Sequence, residues 1–256
     1  MNTLKWTVAS AAITTVASSV QKAWDYTKEL DESLNNIMLV TDKSAASMER
    51  FAKQANKAAK ELGKSTTDYT NAALIYYQQG LSDEEVAART ETTLKTANVT
   101  KQSTDAVSEQ LTAVWNGYKV SAQESELYID KLAAVAATTA SDLEELSTGM
   151  SKVASAANNM GVDIDQLNGI LATAISVTRQ APETVGTAFK TIFARITDIE
   201  SNLDDETTLG EYTARMAELG FNVLNANGKL RDMGDVIEEI GSNWERLSRE
   251  QQVALA

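Results

Sequence analysis

Histidine and cysteine are both absent from this 256-residue chain. Thiol nucleophiles, disulfide frameworks, the usual Cys/His zinc sites and any triad built on an imidazole base are therefore excluded. Carboxylates, amines, guanidinium groups and hydroxyls remain, and a few stretches gather them at spacings that could do chemistry. Gly63, Lys64 and Ser65 end like a phosphate-binding loop, but Ala58 stands where its first glycine belongs, so coincidence is the better reading. Asn225, Ala226, Asn227 and Gly228 resemble part of a calcium loop. Val223 at the first ligand position and Gly234 at the twelfth argue for a hairpin turn instead. Asp198, Glu200, Asp204, Asp205 and Glu206 form an acidic run that could hold a divalent cation, although a solvated loop explains it more simply. Nothing marks a carboxylate pair for glycosidic acid–base work. We expect no enzymatic activity, no cofactor and no metal site.

One further group is basic. Arg179, Lys190 and Arg195, offset only by Glu183, stand immediately before the acidic run. Such charges are commonly helix-terminal or solvated and worth little each. The sharper reading is a contact surface on this chain or a sister copy, including Pro182 and Gly186. Gly186 lies inside an expected helix, where glycine costs about 1 kcal/mol relative to alanine, so another backbone or side chain should pack closely there.

The elements that carry these groups must be helices. A single proline leaves helical runs almost uninterrupted, and the chain is long enough to bury a core without staples. With 23 basic and 36 acidic residues the net charge is −13, which repels phosphate backbones and disfavours autonomous nucleic-acid binding. Residues 6–21 are uncharged but too short and too hydroxylated for a spanning helix. Lys5 and the small residues Ala9, Ser10 and Ala11 have features of a signal peptide, yet an apolar helical face runs through them into acidic sequence, which argues against cleavage. That face, from Val8 through Val16, Val20, Trp24, Leu30 and Leu34 to Met38, predicts one amphipathic helix. Its stripe is too wide for a two-stranded seam, so it should lie on a protein body or on sister helices, with membrane adsorption the minor alternative.

Beyond Thr41 the spacing repeats an apolar helix, a glycine stop and a capping residue: Gly63 before Ser65 and Asp68, Gly80 before Ser82 and Glu85, Gly117 before Ser121 and Glu124, Gly161 before Asp163 and Gln166. Pro182 should open a helix with Val185, Phe189, Ile192, Phe193, Ile196 and Ile199 on one face. Residues 200–208 read as a boundary loop and 209–219 as a helix. Phe221, Val223, the Asn227–Gly228 pair and Leu230 predict a small β-hairpin. A helix over residues 235–244 and another opened by Ser248 follow; the second has no stop signal before Ala256, which suggests a fragment of a longer polypeptide. The expected fold is all-α, a multi-helix antiparallel bundle with one small β-hairpin near the C-terminus. Its expected parts are a long N-terminal helix (1–40), a helical core (41–200) and an acidic loop, helix, hairpin and C-terminal helices (201–256).

The run Thr178, Arg179, Gln180, Ala181, Pro182 and Glu183, followed by Gly186, Thr187, Ala188, Lys190, Thr191 and Arg195, resembles the core signature of bacteriophage tail tape measure proteins. Leu30, Asp31 and Leu34 are similar to the family's entry helix, Tyr77, Gln79 and Gly80 to its early junction, and Ala157, Met160 and Gly161 to its middle helix. Residues 220–232 are similar to the short insertion after the core, so the resemblance spans roughly residues 24–256. It implies a structural virion protein, synthesised in the host cytoplasm, that fills the tail lumen, sets tube length during assembly and leaves before or with the DNA. The implied partners are sister copies, tail tube proteins and tail-tip proteins, with membrane contact only during infection. Whole tape measures are much longer and sometimes carry a muralytic domain. Even fully helical, this chain would reach about 380 Å, and its glycine junctions fold it shorter, so by itself it should not encode tail length. The alternatives are a cellular all-α adaptor or scaffold and, less fittingly, a cell-wall lytic domain.

Overall fold

Left-handed residues and side-chain caps cut the chain into helices at short intervals. The computed structural model describes residues 3–201, 214, 216–227, 229, 231–243 and 246–249, with side chains described from residue 21 to 194 and in the later segments. Two units divide the chain, residues 1–108 and 109–256. The first contains α1 (Thr3–Thr41), α2 (Ala45–Glu61), α3 (Thr66–Gln78) and α4 (Asp83–Thr100). α5 (Thr104–Tyr118) begins at its end. The second continues with α6 (Ser125–Thr138), α7 (Leu143–Asn159), α8 (Ile164–Thr178), α9 (Pro182–Ser201) and α10 (Met233–Asn243).

Each junction has a local cause. Gly63, Gly80, Gly161 and Gly220 take φ of +67, +78, +78 and +92°, the left-handed region in which a Cβ is penalised. After α2 the Lys64 amide donates to Ala59 O at 2.9 Å and the Gly63 amide to Lys60 O at 3.1 Å, so the last carbonyls are satisfied as the chain turns. Ser65 with Asp68, Ser82 with Glu85, and Asp163 with Gln166 then close capping boxes on α3, α4 and α8. α7 has an equivalent box from Asp142 and Glu145. Gly117 behaves differently from the sequence expectation. It lies within α5, whose stop is Lys119 at φ +55°.

In the first unit α3 packs against α1, α2 and α4. Ile37, Ala55, Ala59, Ala72, Ala73, Tyr76 and Leu94 are fully buried there. Threonines share the interior: Thr93 meets the Tyr76 hydroxyl at 2.6 Å, and Thr96 donates to Thr92 O at 2.9 Å. Returning hydroxyls to nearby partners lets small polar side chains be buried without an unsatisfied group. Among the described side chains of α1, burial is confined to its C-terminal part. Residues 21–29 are exposed, Trp24 to 68%, and burial begins beyond them at Ser33 and Ile37.

Lys43, after α1, pairs with Asp83 on the first turn of α4. The Tyr77 hydroxyl at the end of α3 donates to the same carboxylate at 3.0 Å, and the Lys43 ammonium lies 4.6 Å from the Tyr77 ring centroid. The hydrogen bond from Lys43 holds the Asp83 carboxyl below its ordinary value of 3.8. A depressed carboxyl contributes stability above the unfolded value and loses it as pH falls through the folded one. Asp83→Asn should therefore lower the melting temperature at pH 6 and have a progressively smaller effect as the pH falls below 3.8 through the lowered folded value. Equal destabilisation across that range would remove this charge from the account.

In the second unit α7 is central, packing against α6, α8 and α9. Leu146, Met150, Val153, Ala157, Leu167, Leu171 and Phe193 are fully buried. The expected hairpin does not form: among the described residues there is no strand, and Leu224 carries only an isolated bridge. The Asn225 side-chain carbonyl instead accepts the amides of Asn227 and Lys229 at 2.9 and 3.1 Å, closing a loop. Two backbone bonds do cross the loop, from the Arg231 amide to Val223 O at 2.9 Å and from the Asn225 amide to Lys229 O at 2.7 Å, but the pairing extends no further into a strand, while Phe221 and Val223 are buried at 3% and 1% exposure. The all-α part of the expected fold agrees with the structure.

Candidate functional site

The residues expected to form a contact segment occupy different structural settings. Arg179 ends α8 with φ +54°, and its Nη1 donates to Ala140 O at 2.7 Å, joining the end of α8 to the turn between α6 and α7. Pro182 is the first residue of α9, where its missing N–H costs nothing. Gly186 is buried at the α7–α9 crossing. A Cβ placed there would overlap Gly149 O and lie 3.0 Å from Lys152 Cβ, so α9 meets the α7 backbone because Gly186 carries no side chain. Lys190 is exposed on α9. Arg195 is helical, but its side chain lies outside the described residues, as do those of Asp198 and Glu200 and the whole of Asp204, Asp205 and Glu206. The acidic run thus lies beyond structural test. Among the described residues no group of three or more acidic side chains is placed to hold a metal ion.

α8 has two apolar faces. Leu167, Leu171 and Ile175 face the core, while Ile170, Ala174 and Val177 line an open groove with Phe189 of α9 and Ile237 of α10. The groove encloses ≈ 830 Å³ and includes Gly169, Gly234 and Gly241 on its walls. Val177 is 76% exposed. The sequence reading missed this groove, although the continuous spacing of Ile170, Ala174 and Val177 beside the core stripe was a signal that α8 is wetted on an apolar side.

A second recess of ≈ 430 Å³ includes Tyr118, Tyr128, Lys131 and Asp163. The Tyr118 hydroxyl donates to Val162 O at 3.0 Å. Burial disfavours the phenolate and pushes the pKa of both tyrosines up, so neither is poised to exchange a proton near neutrality. Lys131 pairs with Asp165 at 2.7 Å, and that hydrogen bond holds its proton above the ordinary lysine range. This recess combines stabilised protonation states without a nucleophile beside a base, whereas the α8–α10 groove offers apolar area to a macromolecular surface.

The sequence matches the family described as phage-related minor tail protein over residues 53–256. The chain belongs to this family. Across 204 residues it is 22% identical to the probable tape measure protein of Escherichia phage P2, an alignment covering 80% of this chain and 24% of that relative. The chain therefore spans about a quarter of the relative's length. No solved structure matches. The tape-measure likeness expected from the sequence thus agrees with both matches, and a structural role in a phage tail follows from the family. Among the described residues, no helix of this minor tail protein is long and apolar enough to cross a membrane.

Proposed function

We propose that this chain is a globular structural module of a phage tail tape measure protein. It acts in the tail lumen during assembly and length determination, and leaves before or with the genome at ejection. The carrying observation is the alignment with the phage P2 protein over four-fifths of the chain. Short capped helices suit a protein that must present surfaces rather than transform a substrate, and we assign it no catalytic role. A net charge of −13 disfavours adhesion to DNA passing through the same channel. Sister copies, tube proteins and tail-tip proteins are the proposed partners, with membrane contact restricted to infection. Of the proposed parts 1–40, 41–200 and 201–256, the middle one carries the contact segment.

Within that segment Pro182 and Gly186 set the course of α9 against α7, while exposed Lys190 offers positive charge to an acidic partner and Arg195 adds to the local basic charge of the sequence. Arg179 has a structural bond to Ala140, so the cleaner charge test leaves it in place. Lys190→Glu with Arg195→Glu should leave the melting temperature within a few degrees and reduce tail yield about tenfold, the effect of roughly 1.4 kcal/mol at an interface. Normal yield from the folded variant would make these side chains solvated surface only. The broader reading is tested by an in-frame deletion of residues 109–201 in the phage genome. Particles without tails, or with tails of altered length, are expected; tails of normal length and infectivity would refute it.

A further inference from the structure

The first unit already seats one lysine on a tyrosine and a carboxylate. The Lys43 ammonium lies 4.6 Å from the Tyr77 ring centroid and pairs with Asp83, which also accepts from the Tyr77 hydroxyl. The same two residue types recur eight positions back on α3, at Tyr69, and eight positions on along α4, at Glu91. Eight residues of helix are about 12 Å. Tyr69 and Glu91 are neighbours, as Tyr77 and Asp83 are: burial, with the Glu91 carboxylate adding to it, pushes the Tyr69 hydroxyl up to about 12. Two connected helices therefore present the tyrosine–carboxylate pair twice.

Both pairs line one recess of ≈ 480 Å³. Phe51 of α2 stands between the tyrosines, its ring centroid 6.2 Å from that of Tyr69 and 5.8 Å from that of Tyr77. The recess has two cations of its own, and both are engaged near its first end. Lys43 is held at Asp83, and Arg50 donates to Ser47 Oγ at 3.2 Å. At the other end Tyr69 is 5% exposed, yet among the described residues neither its hydroxyl nor the Glu91 side chain has a hydrogen-bond or ion-pair partner. Ala58 and Ala87 on the flanking helices leave width for an aliphatic stem.

We propose that the Tyr69–Glu91 end of this recess binds the ammonium group of a lysine side chain presented by a partner protein, as the Tyr77–Asp83 end binds Lys43. Phe51 packs along the four-carbon stem, Glu91 supplies the countercharge and the Tyr69 hydroxyl accepts a hydrogen bond. This is a different site from the contact segment of α8 and α9, and its test does not depend on that reading.

The full chain, with tyrosine and phenylalanine rings labelled with carbon-13, is titrated with the capped peptide Gly-Gly-Lys-Gly-Gly and followed by NMR. Saturable shifts at millimolar peptide should centre on Tyr69 and Phe51. The same peptide with norleucine for lysine, which keeps the stem and loses the charge, should bind at least tenfold more weakly. Glu91→Gln should weaken the lysine peptide about tenfold without lowering the melting temperature, because Glu91 is exposed. Butylammonium should bind more weakly than the peptide; equal affinity would make this a site for free amines and overturn the assignment to a partner protein. Equal affinity for the norleucine peptide, shifts centred on Tyr77 instead of Tyr69, or no saturable shift at all would overturn the site itself.

Discussion

Gly186→Leu should destabilise the second unit by about 3 kcal/mol, near the upper end of ordinary overpacking costs. For a unit of this size that corresponds to a fall of about 6–12 °C in melting temperature. The cause is backbone against backbone. Even the first carbon of the new side chain would overlap Gly149 O, and Lys152 Cβ at 3.0 Å closes another direction. α9 cannot readily retreat, because Val185 and the fully buried Phe193 anchor it on either side of the glycine. Gly186→Ala should fall between wild type and leucine, since its better helix propensity offsets part of the clash. An unchanged or raised melting temperature for the leucine variant would mean that the α7–α9 crossing is not as close as described.

Trp115→Ala should have a comparable or larger effect, about 4 kcal/mol. The indole on α5 is fully buried, as are the neighbouring Leu111 and Val114. Truncation removes a large apolar surface and leaves a cavity that the packed helices only partly close. Collapse is opposed by Gly117, one turn-half further along α5, whose missing Cβ lets the helix approach Ala154 and Ser155 of α7; a Cβ there would lie 2.8 Å from Ser155 N. The urea midpoint should shift strongly downward. Trp115→Phe should recover more than half of the loss. A shift corresponding to less than about 1 kcal/mol for alanine would place the indole outside the core.

Local chemistry made the helix boundaries readable. Gly63, Gly80, Gly161 and Gly220 do occupy left-handed positions, and Ser65, Ser82 and Asp163 do cap the helices that follow. Such signals act within a few residues, so they survive in sequence without knowledge of the fold. Stops at Lys101, Lys119 and Arg179 were harder to see, because non-glycine residues take positive φ there and no residue type announces it. Gly117 was misread for the converse reason: its absent side chain serves a neighbouring helix and not a turn.

Long-range packing explains the other differences. α4 buries Thr90, Thr93 and Thr96 alongside Leu94, so an apolar periodicity misses much of its inward face. Phe221 and Val223 alternated like a strand, but only two backbone bonds cross the loop and the Lys229 amide turns to the Asn225 side chain, so the pairing stops at an isolated bridge. For the proposed contact segment, sequence located Pro182 at a helix start and an unusual glycine at Gly186, while the apolar groove of α8 and α10 required knowing which helices become neighbours.

The central claim is that this chain is part of the tail itself. Mass spectrometry of purified, assembled tails from phage encoding it tests that claim most directly. Peptides from residues 109–194 should co-purify with tails in constant proportion to the tube protein. Their absence from assembled tails, while the same peptides remain abundant in the producing cells, would contradict it.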